Sequence, residues 1–225
     1  MPPRPIGDIC PTCVGLISDG SDCCWNCNAN SSALDGVTQR VTPISLYEKP
    51  SRLRDWLTFY KSSEDSLSNA LAVAAIAQIF DRFLQYNEDW LRGLGVDYAT
   101  VVPSTLRPPP HPLSVLLSAS DNVNLLFRSP LRRTNEPLDH THPNRDAFSV
   151  FGSVSGDRVL LLDDVYTSGA RSQSAAYSLR AAGARVVALT VLGRRYNPAY
   201  NDRSAEILKL QKTRPFSWAE ADRRT

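Results

Sequence analysis

Between residues 159 and 192 the chain reads Val159-Leu160-Leu161-Leu162, then a helical stretch from Ser172 to Ala182 closed by Gly183, then a second apolar run from Val186 to Leu192. Two continuous apolar strands joined by a helix are a βαβ unit. Such strands lie parallel, buried on both faces, in a sheet that helices cover from both sides. The expected fold is therefore α/β: a parallel twisted sheet with helices on both faces. Upstream, Tyr98 to Val102 reads as another short buried strand, ended by Pro103. Leu67, Leu71, Ala74, Ala75, Gln78, Phe80 and Phe83 fall at helical spacing in a long helix that Gly93 and Gly95 stop. Ser62 and Ser63, ahead of Glu64 and Asp65, have the pattern of its cap. Residues 43–54 lead into helix, 113–118 read as a short helix and 123–127 as a strand. After Pro198 a tail carries a short helix, Ala205 to Leu210, that is expected to fray.

All five cysteines lie between residues 10 and 27 of the 225. That asymmetry marks a separate amino-terminal module, giving expected boundaries of 1–42 for the module, 43–200 for the α/β domain and 201–225 for the tail. Cys10-Pro11-Thr12-Cys13 and Cys24-Trp25-Asn26-Cys27 are two C-x2-C knuckles. Each presents two sulfurs on one side of a tight turn, and together they complete the tetrahedron of thiolates that Zn²⁺ prefers. A module this small has no room for a core of its own, so the metal supplies its folding energy and the closed site is structural. A redox dithiol is the alternative. Cys23 is left over; it replaces Cys24 only by giving up the C-x2-C spacing.

Charge is nearly balanced, 25 Lys+Arg against 23 Asp+Glu, which excludes a strongly basic nucleic-acid coat. The longest apolar run, Ala70 to Ala77, falls short of the ~20 residues of a membrane helix, and the amino terminus has no apolar stretch of signal-peptide length. The expectation is a cytoplasmic chain with no membrane contact, its thiols kept reduced.

The chemistry concentrates where the first apolar strand ends, in Asp163-Asp164-Val165-Tyr166-Thr167-Ser168-Gly169-Ala170-Arg171. In open α/β sheets ligands bind at the carboxyl ends of strands. Two carboxylates there accept hydrogen bonds from sugar hydroxyls. A small, hydroxylated turn that opens a helix offers backbone N–H groups to a phosphate. The combination suits a ribose 5-phosphate. A phospho-receiver domain also carries an Asp-Asp pair after a strand, but too little chain follows Asp164 to complete one. Tyr166 either packs on the ligand or faces solvent. His111, His140 and His142 lie in Pro-rich or polar loops; His140-Thr141-His142 could touch phosphate or metal, but solvated loop histidines are the preferred reading, and Arg194-Arg195 reads as solvated surface charge.

The stretch VLLLDDVYTSGA resembles the 5-phosphoribosyl-1-pyrophosphate (PRPP) signature of type I phosphoribosyltransferases. A cysteine module ahead of such a domain resembles the competence protein F (ComF) family. The resemblance spans roughly residues 45–195 and is specific in the signature. It implies that Asp163 and Asp164 hold the ribose 2- and 3-hydroxyls as the catalytic pair, while Thr167, Ser168, Gly169, Ala170 and Arg171 wrap the 5-phosphate. It further implies a pyrophosphate loop with Ser104 and Thr105, and a flexible loop whose Arg132 and Arg133 close over the pyrophosphate. Mg²⁺ would be the cofactor beside the structural Zn²⁺, and PRPP or a nucleoside monophosphate the ligand. The implied activity is transfer of the phosphoribosyl group to a nitrogen acceptor with release of pyrophosphate. The alternative is a non-catalytic PRPP- or nucleotide-binding protein, or a competence-type DNA-handling accessory whose zinc module meets a protein or single-stranded DNA. Two departures bear on turnover: Arg171 stands where the signature usually closes with Thr or Ser, and Arg107-Pro108-Pro109-Pro110-His111 stands where Arg-Gly-Phe-Asn-Gln is common.

Overall fold

The computed structural model describes residues 9–17, 20–38, 40–62, 66–104, 109–119, 125–200, 202–213 and 215–218. Its centre is a four-stranded, wholly parallel sheet built from β1 (Val41–Tyr47), β2 (Tyr98–Val101), β5 (Arg158–Tyr166) and β6 (Arg185–Arg195), in the order β1-β6-β5-β2. A second sheet pairs β3 (Leu131–Arg133) with β4 (Phe148–Val150), antiparallel. The parallel α/β architecture expected from the βαβ pattern is thus present.

Side-chain alternation along β5 divides the interior in two. Leu160 and Leu162 join one apolar cluster with Ile76, Phe80 and Phe83, whereas Val159 and Leu161 join another with Ala175, Ala176 and Leu179. The first face is covered by α2 (Arg52–Phe59), α3 (Leu67–Tyr86), α4 (Glu88–Gly93) and α5 (Pro112–Ser118). The second is covered by α6 (Ala170–Ala181) and, beyond it, by the cysteine module with its helix α1 (Trp25–Leu34).

Several local readings are corrected. The segment from Val41 to Tyr47 is an edge strand, because a run as buried as Ile44, Leu46 and Tyr47 finds its partner in β6 rather than in a helix. Helix α3 is capped by Ser66, whose hydroxyl accepts from Asn69 N; residues 63–65 lie outside the described ones. Its buried stripe is Ala72, Ile76, Phe80 and Phe83, while Leu67 and Leu71 are exposed. By length and composition α3 could cross a membrane, yet that stripe sits in the first apolar cluster. The strand expected at 123–127 falls partly on residues not described; Phe127 makes an isolated parallel bridge to Ala99. The expected tail helix is α7 (Asp202–Thr213). Its Ile207 and Leu208 pack on Leu46 and Tyr196, and the Gln211 side chain exchanges two hydrogen bonds with the Leu46 backbone, at 2.7 and 2.7 Å.

Helix α6 is buried on nearly every side, which explains its unusual content of Ser and Gln. Gln173 accepts from Thr38 N at 2.8 Å, the Ser174 hydroxyl accepts from Asn144 N at 2.9 Å, and the Ser178 hydroxyl donates to Phe148 O at 3.0 Å. Buried polar side chains are tolerated when each has such a partner.

Candidate ligand site and metal centre

The carboxyl ends of β1, β5 and β6 open into a cavity of about 390 Å³, lined by Tyr47 at the end of β1 and Lys49 just after it, by Asp163 through Ser172 apart from Tyr166, and by Arg195. Helix α2 and the residues after it contribute Arg54, Thr58 and Lys61, and the loop before β4 contributes His140.

The two carboxylates diverge because alternation continues to the end of β5. Asp163 points to the α6 face. Its Oδ2 accepts from the Ser172 hydroxyl at 2.6 Å and its Oδ1 from Asp164 N at 2.9 Å. Asp164 points to the α2 face, where its Oδ2 accepts from the Tyr60 hydroxyl and pairs with the Lys61 ammonium. Both acids are buried, and the consequences differ. Burial, reinforced by the neighbouring Asp164 charge, pushes Asp163 up to about 7. Burial also opposes ionisation of Asp164, but Lys61, His111 and the Tyr60 hydrogen bond outweigh it and hold this carboxyl below its ordinary range. Tyr60 and Lys61 carry no motif; only the fold brings them to the acids.

The turn after the pair is held tightly. Gly169 has φ of 88°, the left-handed region, and a Cβ there would collide with the Tyr166 ring. Tyr166 is wholly buried under the turn, which corrects both readings made for it. Ser168 is buried; its hydroxyl donates to His140 O and accepts from Ala170 N at 3.2 Å. Thr167 is exposed and Arg171 half-buried at the cavity wall. Arg194, read as a surface group, is buried, with only 4 % of its surface exposed. Arg195 is exposed and lines the cavity.

Ser104, Arg132 and Arg133 meet in an adjoining cleft with Pro103, Pro109, His111 and Leu131, and do not line the Asp163 cavity. The Arg132 guanidinium donates to Ser129 O at 2.9 Å and Leu131 O at 3.0 Å. That of Arg133 donates to Thr134 O and Ala147 O, both at 2.7 Å. Thr105 lies outside the described residues. Lys49, Arg54 and Arg195 are cations at the cavity that sequence reasoning missed. No motif marks them, and none makes an ion pair among the described residues.

The metal centre gathers as the spacing requires. The Sγ atoms of Cys10, Cys13, Cys24 and Cys27 all lie within 4.8 Å of one another, with Cys13 and Cys24 at 3.5 Å, and all four residues are buried. A tetrahedral Zn²⁺ with sulfurs at ~2.3 Å would separate them by ~3.8 Å, so the set suits a metal such as zinc. Cys23 points elsewhere, toward Asn28 Oδ1 at 3.4 Å.

The comparisons with known proteins add little to this geometry. No protein-family model matches the chain, and no curated protein matches it. Among solved structures, the UMP synthase of Leishmania donovani is similar at 17% identity and a TM-score of 0.38, over 76% of this chain; the match spans 40% of that longer chain.

Proposed function

We propose that this chain is a phosphoribosyltransferase-like protein that binds PRPP with Mg²⁺ at the carboxyl edge of its sheet and transfers the phosphoribosyl group to a nitrogen acceptor. The observation that carries the reading is the juxtaposition at β5 and α6: two buried carboxylates immediately beside a glycine-dependent turn that starts a helix, in one cavity. A helix start holds a phosphate and the acids accept from sugar hydroxyls. Lys49, Arg54, Lys61, Arg171 and Arg195 give that cavity the positive charge a polyphosphate needs.

In this reading the turn from Thr167 to Arg171 anchors the 5-phosphate, and Asp163 and Asp164 fix the ribose. A nitrogen lone pair attacks C1, the C1–O bond breaks, and pyrophosphate leaves with the electron pair while the acceptor gives up a proton to water. The chain contributes positioning and charge neutralisation. Among the described residues, Asp163 and Asp164 are the acidic side chains at the cavity, and each already has protein partners. That suits Mg²⁺, which is commonly held by substrate phosphates with few carboxylates. When bound, Mg²⁺ would neutralise charge on the pyrophosphate. The four thiolates would hold a structural Zn²⁺, and thiols kept reduced for it fit a cytoplasmic setting.

Arg132 and Arg133 favour a second reading, a PRPP- or nucleotide-binding protein without turnover, because their guanidinium groups are already tied to backbone carbonyls. Pyrophosphate release across a panel of bases, alongside thermal stabilisation by PRPP–Mg²⁺ and by nucleoside monophosphates, separates the two. Stabilisation with release supports transfer, stabilisation alone supports the binder, and neither refutes both.

A further inference from the structure

We propose that Asn30 and Arg194 are positioning residues that couple the four-cysteine centre to the anion turn, so that ligand binding and the metal centre sense one another. The proposal rests on the sugar-phosphate reading of the turn and adds a role for the cysteine module beyond its own stability.

Asn30 stands one helical turn after Cys27 in α1 and is only 1 % exposed. Its Nδ2 donates to Ser168 O at 2.9 Å. The Arg194 Nη1 donates to Thr167 O at 3.3 Å. These are consecutive carbonyls of the anion turn. In a planar trans peptide the C=O and the following N–H point in opposite directions. Holding the Thr167 and Ser168 carbonyls back toward the cysteine module therefore aims the Ser168 and Gly169 N–H groups away from it. The donors that would meet a phosphate are thus oriented from behind by the two side chains.

Arg194 is also the link to the sulfurs. It lies over the Tyr166 ring at 5.1 Å and the Tyr196 ring at 6.0 Å. Around Gly15, a Cβ would meet the Arg194 Nη2 at 2.5 Å, Cys13 Sγ at 3.2 Å and Cys24 Sγ at 3.3 Å, so the guanidinium and two of the thiols share one small space. A divalent metal on four thiolates carries a net charge of minus two. In a buried setting that dianion attracts the guanidinium strongly, and the guanidinium in turn grips the turn. Partners behind a metal's ligands commonly tune the site in this way.

The test uses the full chain loaded with Co²⁺ in place of Zn²⁺, which gives the thiolate centre a visible spectrum. PRPP–Mg²⁺ binding is followed by calorimetry and by that spectrum. In the wild-type chain, ligand should shift the cobalt bands. Asn30→Ala should keep one metal per chain, bind PRPP–Mg²⁺ roughly tenfold more weakly, as expected for one lost buried hydrogen bond, and lose most of the spectral shift. Arg194→Met should do the same, with Arg194→Lys restoring part of the response. Asn30→Ala serves alone should Arg194→Met fail to fold. Unchanged affinity, or an unchanged spectral shift in Asn30→Ala, would overturn the coupling while leaving the ligand reading intact. A wild-type chain that binds no PRPP–Mg²⁺ at all overturns both.

Discussion

Replacing Asp163 by Asn should make the unliganded chain more stable, and increasingly so as pH rises. In the folded chain Asp163 titrates near 7, raised by burial and by Asp164 from an ordinary 3.8. Between those values the folded state keeps a proton that the unfolded state has lost, so stability falls with rising pH by ~1.4 kcal/mol per unit. Above pH 7 the full penalty is on the order of 4 kcal/mol. Asn avoids it at similar size: Oδ1 still accepts from Asp164 N, and Nδ2 can donate to the Ser172 hydroxyl, so both present contacts keep a partner. Chemical denaturation of the two metal-loaded chains from pH 5 to pH 8 should show the stability difference growing by ~3 kcal/mol in favour of Asn. Parallel curves would refute the claim that the native state holds Asp163 protonated.

Elemental analysis should find one zinc per chain, lost on changing Cys10, Cys13, Cys24 or Cys27 to Ser and kept in Cys23→Ser. Gly169→Val should abolish sugar-phosphate binding and lower stability by at least ~2 kcal/mol, read by calorimetry and thermal denaturation, because the left-handed backbone and the Tyr166 ring both reject a side chain. Lys61→Met should cost on the order of 2 kcal/mol near neutral pH, since it leaves the buried Asp164 carboxylate without its cation. Asp164 should then titrate higher, which side-chain carboxyl NMR would show.

What the sequence disclosed follows from how local each signal is. The apolar runs, the cysteine spacing and the Asp-Asp to Thr-Ser-Gly offset are short-range patterns, and each corresponds to a single element or turn. Alternation along residues 160–164 even accounts for why the two acids face opposite layers. The contacts that complete the site are long-range. Lys61 and Tyr60 reach Asp164 only because α2 covers one face of the sheet, and Asn30 reaches Ser168 only because α1 lies against α6. Arg194 looked like surface charge because a lone arginine pair at a strand end usually is. Its burial depends on the sulfurs and aromatic rings that the fold packs around it. The edge strand β1 escaped because its Pro and Ser interrupt the apolar pattern, although its partner β6 buries it.

The most direct test of the central claim is calorimetry of PRPP–Mg²⁺ with the wild-type chain and with the Asp163→Asn, Asp164→Asn double variant, each shown by circular dichroism to be folded. At pH 8, where both carboxyls are ionised, the reading predicts saturable binding by the wild type and its loss in the double variant, since the ribose hydroxyls then lose both charged acceptors. Undiminished affinity in the double variant would contradict the assignment of the carboxylate pair to the sugar.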